Sequence, residues 1–232
     1  MKLRPFVPMS PILTAQLPKG EQWLYQLKWD GYRIVAHVDD GSARLYSKTM
    51  LSKNKPFPEL VYALSRLKGS FVLDGEAVIL DEASGKPSFQ RLQQRDKLSD
   101  SRLITAAALQ KPVQYILFDL LAADGNDLRP RPLTERLALL TELVESWGES
   151  ETFFLADSFA DGDRLWEWVA ERGWEGVVAK RKDSQYAAGK DHADWFKRKT
   201  ALRIEAEAVG ILIREGRIAS LAVRRNGIID AK

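Results

Sequence analysis

Trp23-Leu24-Tyr25-Gln26-Leu27-Lys28-Trp29-Asp30-Gly31-Tyr32-Arg33-Ile34-Val35-Ala36-His37-Val38 sets two apolar runs on either side of a short polar turn that contains a glycine. Runs of this length, rich in β-branched and aromatic residues, predict strands over 23–27 and 32–38. Working outward, the same signal predicts strands over 43–47, 71–80 and 113–117. Phe57, Leu60, Val61, Leu64 and Leu67 recur at helical spacing, as do Leu133, Leu137, Leu140, Leu143, Val144 and Trp147. A third helix, over 163–172, repeats Leu165, Trp168 and Val169 after an Asp able to cap its first turn. Strands and helices without regular β-α-β repetition predict an α+β domain of antiparallel sheets with flanking helices, not a doubly wound fold. A glycine-rich phosphate loop is absent from the sequence.

The chain has 232 residues, 45% of them hydrophobic, enough to bury a full core in one large domain. It has no cysteine, which excludes disulfides, thiolate metal ligands and a cysteine nucleophile; the two histidines, His37 and His192, leave little room for an imidazole-based zinc site. With 35 basic against 32 acidic residues, charge is compatible with a nucleic-acid partner without requiring one. The sequence carries no apolar run of transmembrane length, and Met1-Lys2-Leu3-Arg4-Pro5 does not read as a secretory signal, so a cytoplasmic protein with no membrane association is expected. Composition shifts after Thr200, where 204–213 and 218–223 read as a hairpin joined at Glu215-Gly216. The expected division is therefore 1–200 and 201–232.

Chemistry concentrates in four places. Lys28 ends an apolar strand beside a glycine turn, with Arg33 returning on the next strand. A lysine amine, with an ordinary pKa of about 10.4, becomes a nucleophile when cations nearby favour its neutral form; a solvated Lys-Asp pair at a hairpin turn accounts for the same letters. Leu73-Asp74-Gly75-Glu76 places two carboxylates around a glycine, able to bind metal or accept ribose hydroxyls, or to form an ordinary polar turn. In Glu175-Gly176-Val177-Val178-Ala179-Lys180, a carboxylate suited to magnesium and a lysine stand at opposite ends of an apolar strand. In Trp195-Phe196-Lys197-Arg198-Lys199, alternation puts Lys197 and Lys199 on one face, within reach of a single phosphate, though basic edge strands share this pattern. Phe118, in Tyr115-Ile116-Leu117-Phe118-Asp119, is a candidate base platform or a core aromatic.

Taken in order, these segments resemble the motifs of the covalent nucleotidyltransferases: ATP-dependent DNA ligases, RNA ligases and mRNA capping enzymes. Together with Gly85-Lys86-Pro87-Ser88-Phe89-Gln90-Arg91-Leu92-Gln93, they resemble most the bacterial end-joining and phage-type ATP-dependent DNA ligases. The resemblance spans nearly all of 3–200 and implies an ATP-grasp-like adenylation domain. It further implies that Lys28 is the adenylated nucleophile, that Gln26, Leu27, Arg33, Lys48, Glu76, Phe118, Lys197 and Lys199 hold the nucleotide, and that Glu175 and Glu76 bind Mg2+ or Mn2+. ATP would be the substrate and nicked double-stranded DNA the partner of a monomeric enzyme, with end-joining or repair proteins as further partners. An RNA ligase, a capping-type transferase and a non-catalytic DNA-binding module are the alternatives.

Three departures stand out. Gln26 occupies a position that is commonly Glu, where its amide oxygen can accept the same hydrogen bond. Ser47-Lys48 replaces a Ser-Arg pair, exchanging a bidentate guanidinium for a point charge. Residues 206–229 resemble only the opening strands of the OB-fold that follows the core in these ligases, so a truncated OB-like segment is expected after the adenylation domain. Lys53, Lys55, Arg181, Lys182, Lys190 and Arg198 are candidate contacts to a phosphate backbone, or ordinary surface charges.

Overall fold

The computed structural model describes residues 3–189, 192–200, 207–214, 216–225 and 228–231. Lys190, Glu215 and residues 204–206, named above, lie outside them. Contacts divide the chain into Met1–Thr200 and Ala201–Lys232.

The first unit runs β1 (Pro11–Leu13), β2 (Trp23–Lys28), β3 (Tyr32–Asp39), β4 (Ser42–Ser47), α1 (Pro58–Ser65), β5 (Ser70–Val78), α2 (Phe89–Asp96), α3 (Ser101–Gln110), β6 (Gln114–Ala123), β7 (Asn126–Asp127), α4 (Leu133–Ser146), β8 (Phe153–Leu155), α5 (Gly162–Arg172), β9 (Gly176–Arg181) and β10 (His192–Lys199). One sheet has the order β1-β10-β9-β2, the other β4-β3-β5-β6-β7 with β8 beside β6. Pairing is antiparallel except for β1 with β10 and β8 with β6. The expected α+β class is what the fold shows.

Period-two alternation decides which way each sheet faces. Trp23, Tyr25, Val177 and Ala179 pack with Leu165 and Val169 of α5. Ile34, Ala36, Leu45, Leu73 and Leu117 pack with Leu60 and Leu64 of α1 and Leu140 of α4. Val35, Val72 and Leu121 join Met9, Tyr186 and Trp195 in a third cluster, which ties the six-stranded sheet to β10 of the other. Fully burying one of these large apolar side chains is worth about 1.5–3 kcal/mol.

Sequence and structure differ at several boundaries. The strand expected to end at residue 117 continues to Ala123, because pairing with β5 and β7 carries the ladder on through Leu120, Leu121 and Ala122. The strand expected over 71–80 ends at Val78, beyond which only a lone bridge joins Leu80 to Pro87. Helix α5 starts one residue before its expected first residue, with Asp161 accepting from the Arg164 amide as its cap. The helices α2 and α3 were not anticipated. The first is nearly all polar and is held by buried Leu92 and Arg95, the latter donating to Glu59 of α1 at 2.9 Å. The second buries only Ile104 and is capped by Asp100.

In the second unit, β11 (Glu207–Arg214), β12 (Arg217–Arg225) and β13 (Ile228–Ala231) form an antiparallel sheet in that order. Gly216, at φ 73°, takes the left-handed conformation the hairpin turn needs.

Candidate active site

A cavity of about 470 Å³ lies between the two sheets of the first unit. Strand register accounts for one wall. Lys28, Gly176 and Lys199 stand in one cross-strand row, Gln26, Val178 and Lys197 in the next, and Leu24, Lys180 and Trp195 in the third. Gln26, Lys28, Val178, Lys180, Trp195 and Lys197 all line the cavity. The first row needs a glycine, since a Cβ on Gly176 would lie 2.1 Å from the Arg198 carbonyl oxygen.

The other wall comes from the six-stranded sheet and contributes Arg33, Lys48, Glu76 and Phe118. Arg33 pairs with Glu76 across β3 and β5. The turn between the walls also needs its glycine: a Cβ on Gly31 would meet the Ala77 carbonyl oxygen at 2.2 Å.

Glu175 directly precedes Gly176 of the first row, and its two oxygens bridge the lysines of that row, Lys28 and Lys199. Oε2 accepts from Lys28 Nζ at 2.6 Å, and Oε1 lies 3.0 Å from Lys199 Nζ. The structure thus brings Lys28, Glu175, Lys197 and Lys199 together, although the Lys28 and Glu175 positions are 147 residues apart. Burial, then Lys48, Lys28 and Lys199, lower the pKa of Lys197, with Glu175 opposing. Burial, then the charge of Glu175, raises the pKa of Asp30.

Burial pushes the Glu76 carboxyl up to about 7, against the pull of Lys28 and Arg33 and with the repulsion of Glu175 and Asp74. Among the described residues no cluster of three or more metal-binding side chains occurs. A carboxylate is in itself a suitable ligand for a hard divalent ion that takes its remaining oxygens from phosphate and water.

Gln26 is buried and commits its amide nitrogen to Ser158 Oγ at 3.1 Å, while it lines the cavity. Leu27 also borders the cavity, but its side chain packs with the α5 cluster. The Arg33 guanidinium is held by Asp74, with Nη2 2.6 Å from Oδ2, and lies 4.5 Å from the centre of the Phe118 ring. Asp74 also accepts from Tyr186 Oη at 2.6 Å. Of the two carboxylates around Gly75, then, Glu76 lines the cavity and Asp74 anchors Arg33.

Lys180 was seen in the sequence only as the end of a strand. It is buried, with Nζ 4.4 Å from the Phe118 ring centre and 4.3 Å from that of Trp195. Burial, only partly offset by Asp119, lowers its pKa to about 7. Trp195 and Asp119 surround it from β10 and β6, a neighbourhood that strand alternation alone does not disclose. Of the basic residues proposed for a phosphate backbone, Lys53 is tied to Asp96 at 2.7 Å and Arg181 to Asp183 at 2.7 Å.

An antiparallel α+β cleft with a lysine–carboxylate pair on its wall and further cations beside it is the arrangement that the resemblance to covalent nucleotidyltransferases implies. The family model described as ATP dependent DNA ligase domain matches residues 8–199, and the chain belongs to that family. It is 38% identical over 200 residues to the multifunctional non-homologous end joining protein LigD of Pseudomonas aeruginosa, covering 85% of this chain and 22% of that protein. A probable DNA ligase of Streptomyces avermitilis is 39% identical over 187 residues, covering 73% and 33%. The solved mycobacterial DNA ligase D complexed with ATP and MES superposes with a TM-score of 0.69 at 31% identity, over 94% of this chain and 67% of that one. The chain therefore spans between about a fifth and a third of these two curated relatives. Among the described residues no helix is long and apolar enough to cross a membrane.

Proposed function

We propose that this chain seals nicks in double-stranded DNA through a lysyl-AMP formed on Lys28. The observation that carries the reading is the Lys28–Glu175–Lys199 bridge, with Lys197 alongside, at the wall of a cavity large enough for a nucleotide.

The Lys28 amine, once deprotonated, attacks the α-phosphorus of ATP. The bond from that phosphorus to the bridging oxygen breaks, and pyrophosphate leaves. Lys48, Lys197 and Lys199 stabilise the charge that develops on the phosphates, as preplaced cations do in phosphoryl transfer. Gln26 accepts from the adenine amino group, Phe118 packs on the base, and Arg33 and Glu76 hold the ribose or phosphates, with Leu27 contributing to the pocket. Glu175 and Glu76 would hold Mg2+ or Mn2+, which supplies charge neutralisation at the triphosphate. AMP then passes from Lys28 to the 5′-phosphate of a nick, and the 3′-hydroxyl displaces AMP to close the strand.

Residues 1–200 are the adenylation domain in this reading and 201–232 an OB-like segment that adds to DNA binding. The enzyme acts as a monomer in the cytoplasm, in end joining with repair proteins.

α-Labelled ATP and magnesium should leave acid-stable label on the wild type and none on Lys28→Ala, and the wild type should join a nicked duplex. An unlabelled wild type would overturn the reading. Labelling by GTP, or sealing confined to RNA nicks, would overturn the substrate assignment.

A further inference from the structure

The Lys28–Glu175 contact lies where its strand ladder runs out. Lys28 is the last residue of β2 and Gly176 the first of β9, so Glu175 falls just outside the ladder. Its main chain is held instead by Thr200, whose amide donates to the Glu175 carbonyl at 3.0 Å and whose hydroxyl donates to the Trp174 carbonyl at 2.6 Å. The Trp174 amide donates in turn to the Val169 carbonyl of α5 at 3.0 Å.

Side chains close the same end. Trp29 directly follows the nucleophile and Trp174 directly precedes the carboxylate. Their rings meet edge to face, with centroids 5.3 Å apart and planes at 82°. Trp168 of α5 backs Trp174 at 5.6 Å. Aromatic pairs in this geometry are directional as well as apolar. A contact here, just beyond the Lys28–Gly176 pair that ends the β2–β9 ladder, braces the two chains as they leave it, and so the distance between the Lys28 amine and the Glu175 carboxylate.

We infer that Trp29 and Trp174 are a pair of positioning residues that hold Lys28 and Glu175 in register for attack on the α-phosphate. The inference rests on Lys28 being the nucleophile. Neither indole is asked to touch the reacting atoms. Trp29 also borders the cavity, whereas Trp174 does not; reactions limited by geometry respond steeply to small displacements, so loosening the clasp from the Trp174 side slows the chemical step while the nucleotide pocket still fills.

The test is a double-mutant cycle on enzyme adenylation, read in single turnover at rising ATP. Trp29→Leu and Trp174→Leu are each expected to lower the saturating rate about tenfold to a hundredfold, with half-saturation by ATP unchanged in Trp174→Leu, whose residue does not line the cavity. The double variant is expected to be no slower than the slower single variant, because either change alone opens the clasp. Trp174→Phe, which keeps a ring edge, restores the rate to within about threefold.

Trp147→Leu, in the core against Phe71 and Phe153, serves as the stability control. It should lower the melting temperature without slowing adenylation. Single variants that adenylate at the wild-type rate, penalties that multiply in the double variant, or an equal slowing in Trp147→Leu would each overturn the inference. A wild type that forms no lysyl-AMP would instead remove the nucleophile assignment. If Trp174→Leu does not fold, Trp29→Leu against Trp29→Phe makes the same comparison.

Discussion

Two ion pairs of nearly equal length serve this domain in opposite ways. Arg136 and Asp119 meet at 2.7 and 2.9 Å with both side chains fully buried, and the remaining Arg136 nitrogen donates to the carbonyls of Arg131 and Ser184 at 2.5 and 2.9 Å. Lys28 and Glu175 meet at 2.6 Å with about a fifth of each side chain exposed, and Glu175 is shared with Lys199. The first pair is satisfied on every side and joins α4 to β6. The second is held by exchangeable partners, so arriving phosphate oxygens can take over its cations. A charge kept for chemistry must be able to change partners, and a charge kept for structure must not.

The sharpest break in that comparison is Lys28→Arg. A guanidinium can still pair with Glu175 but does not give up its proton, so lysyl-AMP formation should fall on the order of a thousandfold or more with the melting temperature nearly unchanged. Label transfer and calorimetry on one preparation would check both halves. Asp119→Asn should do the reverse, costing about 3–5 kcal/mol in denaturant unfolding because Arg136 is left buried without its countercharge. Glu175→Gln should unfold much like the wild type yet adenylate roughly tenfold to a hundredfold more slowly, a loss of electrostatic placement measurable in single turnover.

A pH dependence sharpens the boundary between the two regions, where Lys180 sits. Its folded pKa of about 7 lies below its ordinary 10.5. The neutral amine is therefore the form the fold accepts. The associated stability is fully present above about 10.5 and is lost as pH falls through 7. Between pH 7 and 10 the wild type should gain stability relative to Lys180→Met. Parallel melting curves for the two proteins across that range would contradict the assignment.

Strands β2 and β3 were legible because each sets apolar residues on alternate positions against a helix-covered face, and β4 because Ala43 and Leu45 are buried between the exposed Ser42 and Arg44. The catalytic candidates were legible for a related reason: a glycine between or beside charged residues at a strand end marks close backbone approach, as at Gly31 and Gly176. Helix α2 was not, because Phe89-Gln90-Arg91-Leu92-Gln93-Gln94-Arg95-Asp96 carries too few apolar residues to show a periodic face, and its buried Arg95 depends on Glu59 from another helix. Asp74 was read beside Glu76 as a site carboxylate. Its neighbours Arg33 and Tyr186 lie 41 and 112 residues away, so no local pattern separates the two roles.

Local spacing, then, determined by itself the strands from β2 to β6, that Lys197 and Lys199 share one strand face, and which lysines and carboxylates stand at strand ends, because these depend on near neighbours and on the period of two; the short strands β1, β7 and β8 left no such signal. Only the tertiary structure decided that Glu175 bridges Lys28 and Lys199, that Asp74 serves Arg33, and that Lys180 is buried beside Phe118. Those outcomes depend on strand register across sheets and on the cost of burying charge, and both are settled by residues far apart in the chain.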